Sequence, residues 1–146
     1  MAMFENILIA VDISDEAELV VKKAKDFAEK YGSNVLLVHV VEPVVVESSY
    51  DLVPVINTDI ESSLVNRSES FLNELAKKHD IDPTNTLIAI GSTKAEIHQA
   101  AKDHNTDLIV IGTHGRHGVA LLLGSTANSI IHGAPCDVFC VKIPVA

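Results

Sequence analysis

The chain lacks tryptophan, has two cysteines, and draws only 4% of its 146 residues from the aromatic types. Its core must therefore come from Val, Ile, Leu and Ala, the composition of buried parallel strands and their covering helices. Cys136 and Cys140 are too few for a disulfide framework. In one predicted strand they would lie roughly 13 Å apart on the same face, too far to bridge, so we expect buried structural thiols.

Positive charge is also scarce, because 11 Lys and Arg stand against 20 Asp and Glu and give a net charge of −9. Such a chain repels nucleic-acid backbones and anionic membrane surfaces. Long hydrophobic runs are missing too, and Ile7 to Val11 is far too short for a signal sequence or a membrane span. We therefore expect a cytoplasmic protein without nucleic-acid or membrane partners.

The 47% hydrophobic content is enough for one core, so residues 1–146 are predicted to form one domain. Apolar runs alternate with helical patterns, and most of the runs are continuous, as in strands that are covered on both faces. The sequence therefore predicts a single-domain open α/β sheet. Its five strands are expected at Phe4–Val11, Val35–Val41, Thr86–Ile90, Asp107–Gly112 and Val138–Ile143.

Four helices are predicted between these strands. The first has Ser14 as its N-cap and Gly32 as its left-handed stop, and its apolar face is Ala17, Val20, Val21, Ala24, Phe27, Ala28 and Tyr31. The second rests on Ile60, Leu64, Phe71, Leu72 and Leu75, the third on Ile97, Ala100 and Ala101, and the last, from Ser125, on Ala127, Ile130, Ile131 and Ala134. The aperiodic segment from Glu42 to Thr58 is expected to be either a lid or a partner surface.

A glycine-rich stretch follows the fourth predicted strand, reading Gly112-Thr113-His114-Gly115-Arg116-His117-Gly118 and later Gly124-Ser125-Thr126. Open α/β sheets place ligands at such strand ends, and glycine amides and a helix N-terminus favour anions. No Asp or Glu occurs from Leu108 to Pro135 in this acidic chain. The pattern predicts a phosphate site. The alternative is that the glycines only make turns, that the helix start is merely capped, and that Arg116 and His117 are solvated. The stretch matches neither a Walker A loop nor the dinucleotide fingerprint.

These motifs together resemble the universal stress protein family over essentially the whole chain. The likeness rests on Val11-Asp12, His39-Val40 and Gly112-x2-Gly115-x8-Gly124-Ser125. The glycine and hydroxyl motif resembles the branch that binds ATP. The resemblance implies a Rossmann-like parallel sheet of order 3-2-1-4-5 with helices on both faces, and a homodimer formed through the last strand. Two positions depart from the family pattern: the second spacing is eight rather than the commoner nine residues, and Ala10 stands where many binding members carry Pro.

The resemblance also implies roles for individual residues. The adenosine side would be lined by Ala10, Val11 and Asp12, and Val40 would offer backbone hydrogen bonds to adenine. Ribose and phosphates would be surrounded by Gly112, His114, Gly115, Arg116 and His117. The helix start would hold the phosphates through Gly124, Ser125 and Thr126.

Asp12 has two interpretations, a Mg²⁺ ligand or a hydrogen-bonding carboxylate at the turn into the first helix, while His39 is expected to be a hydrogen-bonded structural histidine. No nucleophile, base and orienting group can be assembled from the sequence. We therefore expect a dimeric module that binds ATP, ADP or AMP and acts on a regulatory partner protein. A slow Mg²⁺-dependent ATPase or nucleotidyl-transfer enzyme and a structural stress dimer with an empty cleft are the alternatives.

Overall fold

A computed structural model describes residues 3–43, 45–46, 55–56, 58–113 and 124–144, and its main feature is a parallel five-stranded sheet. The strands of the described ranges are β1 (Asn6–Ala10), β2 (Asn34–Val41), β3 (Val45–Val46), β4 (Val55–Ile56), β5 (Thr86–Ile90), β6 (Leu108–Gly112) and β7 (Asp137–Val141). The sheet has the order β5-β2-β1-β6-β7, and every pairing in it is parallel. Numbered along the chain, this is the order 3-2-1-4-5, so the predicted fold is confirmed.

The remaining two strands form a separate short pair. Val45–Val46 pairs antiparallel with Val55–Ile56 inside the segment for which the sequence shows no period. Two residues on each side are too few to produce a detectable alternation. The expected role of this segment as a lid or partner surface stays a prediction.

The helices are α1 (Ala17–Tyr31), α2 (Thr58–Lys78), α3 (Thr93–Asp103) and α4 (Ser125–Ile131). Gly32 ends α1 with φ of 65° and donates its N–H to Ala28 O, as predicted. The predicted cap at Ser14 is wrong, because Glu16 occupies the N-cap position without a side-chain bond. The Ser14 hydroxyl instead donates to Asp12 Oδ1 at 2.6 Å. Hydrogen bonds to an ionised carboxylate are stronger than neutral ones, and Asp12 lies only two residues from Ser14.

Two apolar clusters cover the two faces of the sheet. Alternate residues of β1 feed them, since Ile7 and Ile9 belong to the cluster under α1 and α2 and Leu8 to the cluster under α3 and α4. The same alternation holds in β6, where Val110 and Ile109 point to opposite faces. Continuous apolar runs were therefore the right signal for strands buried on both sides.

Two residues predicted to face the core are exposed. Ile60 is 42% exposed in the first turn of α2, whereas Leu72 and Leu75 in its second half are buried. Ile131 is 39% exposed because α4 has only seven residues and Ala127 and Ile130 already fill its inner face. Ile131 is the last residue of α4, so its side chain follows the chain away from the sheet.

The two cysteines are free, and Cys136 lies just before β7 while Cys140 lies within it. Both pack against the cluster under α3 and α4, but they are half-buried rather than buried as expected. Burial raises the pKa of both thiols, and the neighbouring Asp137 carboxylate adds to the rise at Cys136. None of the helices in the described ranges is long and apolar enough to cross a bilayer.

Candidate functional site

A cleft of about 160 Å³ opens at the carboxyl edge of the sheet, above the ends of β1, β2 and β6. Along the chain, β2 and β5 are added to the sheet on one side of β1, and β6 and β7 are then added on its other side. The connections after β1 and β6 therefore leave on opposite faces and open a crevice between them, which is where open α/β sheets bind ligands. Six predicted site residues line it: Ala10, Val11, Asp12, Val40, Gly112 and Thr126.

The walls of the cleft are mostly aliphatic and come from both core clusters. Residues that the sequence presented only as core supply them: Ala17, Val20, Val38, Ile97, Ile111, Ala127, Ile130 and Ile143. A few polar side chains join them, namely Asp12, Glu16, His39, Thr93 and Thr126. An apolar cleft with few polar groups is typical of small-molecule sites, whose volumes begin at about 300 Å³. This cleft is smaller than that, so a ligand of the usual size would extend beyond it.

The backbone of β2 is open to the cleft at Val40. The last bond between β1 and β2 runs from Val11 N–H to Val38 O at 2.9 Å, and on the opposite side Gly91 N–H donates to Val41 O at 3.0 Å. Backbone groups of successive strand residues alternate between the two neighbouring strands. The Val40 N–H and C=O therefore point to the side of β1, beyond the residue where pairing with β1 stops. Within the described turn after β1, no backbone bond reaches Val40.

His39 forms the hydrogen bond that the sequence interpretation expected, with Nδ1 lying 2.7 Å from Val11 O. The structural role is thus confirmed. The same side chain also lines the cleft, which the sequence interpretation missed. The available signal was its position beside Val40 at a strand end, in an otherwise apolar run.

Asp12 and Glu16 place two carboxylates at the rim of the cleft. Asp12 Oδ1 accepts the Ser14 hydroxyl, as the hydrogen-bonding interpretation expects, and the metal interpretation stays a prediction. Among the described residues, no three His, Cys, Asp or Glu side chains converge on a point where they could hold a metal. Mg²⁺ commonly needs only one or two carboxylates when phosphate oxygens complete its shell. The donor set therefore fits Mg²⁺ together with a phosphate ligand.

Gly112 has a packing reason at the end of β6. A Cβ at this position would lie 3.1 Å from Ile143 Cγ1 and 3.3 Å from Val20 Cγ2. Both of these side chains line the cleft. Glycine therefore lets the end of β6, α1 and the segment after β7 approach closely, and it sets one wall of the cleft.

Thr113, next to Gly112 at the start of the glycine-rich stretch, makes two hydrogen bonds. Gly124 N–H donates to Thr113 O at 2.8 Å, and Thr113 Oγ1 accepts Ile143 N–H at 3.0 Å. The Gly124 amide is thus engaged by the protein itself, and neither Gly124 nor Ser125 lines the cleft, whereas Thr126 does. The other predicted contacts, from His114, Gly115, Arg116 and His117, lie outside the described residues.

The fold is that of an open-sheet α/β protein, with a cleft, the switch-point cleft, at the carboxyl edge of the sheet where the strand order reverses across β1. The model of the universal stress protein family matches residues 3–142. Universal stress protein A homolog 2 of Coxiella burnetii is 35% identical over 146 residues, 98% of each chain. The chain belongs to this family of stress-response proteins.

Solved structures agree with the fold. Hypothetical protein MJ0577 superposes with a TM-score of 0.79 at 24% identity and covers 99% of both chains. A universal stress protein solved in complex with cAMP superposes with a TM-score of 0.66 at 18% identity, over 95% of this chain and 97% of that one. At these identities the likeness is one of fold.

Proposed function

We propose that this chain binds an adenine nucleotide in the switch-point cleft, and that ATP occupancy regulates a partner protein through a homodimer. The observation that carries the proposal is the open backbone of Val40 at the wall of an apolar cleft. Among the described residues no backbone group bonds the Val40 N–H or C=O, and such buried groups are costly unless a ligand or water satisfies them. A base in the cleft would satisfy both.

The pair of backbone groups favours adenine over guanine. Adenine offers an amino donor where guanine carries a carbonyl acceptor. A fixed N–H and C=O from one residue complement the adenine edge, and guanine would set like groups against each other. The solved family member with cAMP has an adenine ligand, which agrees with this choice.

The phosphates would leave the cleft toward the carboxylate-free stretch. Thr126 at the start of α4 lines the path, and Ser125, Gly115, Arg116 and His117 are the further candidates in sequence. The carboxylates of Asp12 and Glu16 repel phosphate at the rim, and Mg²⁺ held by Asp12 would offset that repulsion. When bound, the metal would neutralise phosphate charge, while Asp12 supplies the oxygen ligand.

The homodimer would form along β7. This strand is at the edge of the sheet, and Val138, Phe139 and Cys140 along it are half-buried. Exposed apolar edge strands are aggregation risks unless another chain covers them. Sedimentation at micromolar concentration should show a dimer, and a monomer would remove this part of the proposal.

Calorimetric titration with ATP, ADP, AMP and GTP tests the binding proposal. The adenine nucleotides should bind, and a saturating ligand at 100 times its dissociation constant should raise the free energy of unfolding by about 2.7 kcal/mol. GTP should bind about 30-fold or more weakly, because two mismatched polar groups each cost about 1–3 kcal/mol. Absence of heat and of thermal shift with all four would favour a protein with an empty cleft.

A matched pair of variants locates the ligand. Ala10→Leu places three extra carbons in the cleft, whereas Ala95→Leu adds the same carbons on the exposed face of α3. The first should abolish ATP binding and the second should leave it unchanged. Equal binding by both variants would place the nucleotide elsewhere. With Mg²⁺ present, we expect ATP to be bound and recovered intact, and sustained phosphate release would favour the enzyme alternative.

A further inference from the structure

The geometry points to His39 as a positioning residue for the cleft. By donating to Val11 O, it ends the ladder between β1 and β2 one bond early and keeps the Val40 amide open to a ligand. The inference rests on the proposed function for the identity of that ligand. Its structural content concerns the free protein and can be tested without one.

The next bond in the ladder is missing although its partners are present. After Val11 N–H to Val38 O, a parallel ladder would continue with Val40 N–H to Val11 O. Both Val40 and Val11 are among the described residues, and no backbone bond joins them. The Val11 carbonyl accepts from the His39 ring at 2.7 Å instead. Because a carbonyl has no proton to give, Nδ1 must carry the hydrogen.

Histidine suits this task because of its place in β2. The backbone of His39 belongs to the ladder with β5, where it stands opposite Ile88. Its side chain is on the face of Leu37, the face that α1 and the buried Val11 share. The ring can therefore reach Val11 O without disturbing the strand, and it lines the cleft while doing so.

Without a donor at position 39, the Val11 carbonyl would need another partner. Val11 is 8% exposed, so its carbonyl has little access to water. The nearest donor in ladder register is the Val40 amide. We expect the two strands to close by that one bond, which would occupy the donor that the base requires.

His39→Leu and His39→Asn form a matched pair of similar size for testing this. Asn carries an N–H donor at the same bond separation from the backbone as the His Nδ1, and Leu carries none. In NMR spectra of the free protein, coupling across a hydrogen bond from Val40 N to the Val11 carbonyl carbon should be absent in the wild type and in His39→Asn. It should appear in His39→Leu, with hydrogen exchange at Val40 slowed about 10-fold. Coupling in the wild type, or none in folded His39→Leu, would overturn the inference.

If a variant fails to fold, the tautomer of the His39 ring in the wild-type protein tests the same inference. The nitrogen shifts of the His39 ring distinguish its tautomers, and the neutral ring should carry its hydrogen on Nδ1. A ring with hydrogen on Nε2 alone cannot donate to Val11 O and would refute the proposal.

Binding of AMP supplies the functional readout, since it depends on the base end of the cleft. His39→Leu should bind AMP about 10-fold more weakly than the wild type, and His39→Asn within about threefold of it. If the wild type binds no nucleotide, the proposed function fails while the coupling measurement still decides the role of His39. If His39→Leu binds AMP as tightly as the wild type, the role of His39 fails while nucleotide binding stands.

Discussion

The effect of Gly112→Ala on stability should depend mainly on one neighbouring side chain, Ile143. The φ angle of Gly112 is not positive, so an alanine fits the backbone and only its methyl group matters. That methyl would lie 3.1 Å from Ile143 Cγ1, 3.3 Å from Ile143 Cδ1 and 3.3 Å from Val20 Cγ2. Ile143 and Val20 are both 4% exposed, so neither can move into solvent.

The expected magnitude follows from two opposing effects. Overpacking a well-packed site costs about 1–3 kcal/mol. Replacing glycine by alanine restricts the unfolded chain and returns about 0.4–1 kcal/mol. Gly112→Ala should therefore lower the free energy of unfolding by about 1 kcal/mol. Ile143→Ala alone should lower it by about 2–5 kcal/mol. In that background both Ile143 contacts are gone and only the 3.3 Å contact with Val20 Cγ2 remains, so Gly112→Ala should be about neutral.

Urea unfolding of the wild type, both single variants and the double variant measures this as a double-mutant cycle. We expect a favourable coupling of about 1 kcal/mol, above the roughly 0.3–0.5 kcal/mol scatter of independent sites. If Gly112→Ala costs the same in both backgrounds, the close packing between Gly112 and Ile143 does not explain the glycine.

Three further predictions concern residues outside the cleft. Asp107 Oδ2 accepts two backbone N–H groups at the start of β1, each at 2.9 Å, so Asp107→Ala should lower the free energy of unfolding by about 1–3 kcal/mol. Asp107→Asn keeps an acceptor and should lower it less. An equal loss in the two variants would contradict this prediction. Burial raises the pKa of Cys136 and Cys140, so the folded protein keeps these thiol protons to higher pH than the unfolded chain does. Alkylation at pH 8 should therefore be slower in the native than in the urea-unfolded chain, and the free energy of unfolding should fall as pH rises past about 8.5. Equal alkylation rates would refute this prediction. His98→Phe should cost about 1 kcal/mol by removing the 2.7 Å bond between His98 Nε2 and Ile130 O that joins α3 to α4, which thermal unfolding would measure and an unchanged midpoint would contradict.

The strand order could be predicted because the strongest signals are local and numerous. Runs such as Ile7 to Val11 and Leu108 to Ile111 are apolar at every position, and their short length and β-branched residues favour strands covered on both faces over buried helices. The order itself came from family resemblance, since nothing local in the five strands distinguishes a central strand from an edge strand.

Helix boundaries were harder where a polar residue has a choice of partners. Ser14 has the residue type of an N-cap, yet its hydroxyl bonds the Asp12 carboxylate. Ile131 has the period of a core residue, yet α4 ends there and the chain turns away. Both outcomes depend on where the neighbouring elements lie in space, which a single segment of sequence does not encode.

The candidate site was predictable at the strand ends but not in its walls. Asp12 and Gly112 lie at the carboxyl ends of parallel strands, where open α/β sheets bind ligands, so their position in the sequence predicts them. The opening at Val40 depends on two strands of unequal length and on a bond from His39 to Val11, and neither can be read from residue types alone. Backbone recognition leaves no mark on the side-chain sequence, so only the register of the pairing reveals it.

The most direct measurement is an amide NMR titration of the labelled protein with ATP and, separately, with GTP. We expect the Val40 amide resonance to move downfield with saturating ATP as the base accepts its hydrogen bond, while GTP at the same concentration leaves it in place. A Val40 amide that does not respond to saturating ATP, or responds equally to GTP, would contradict the proposed recognition of adenine.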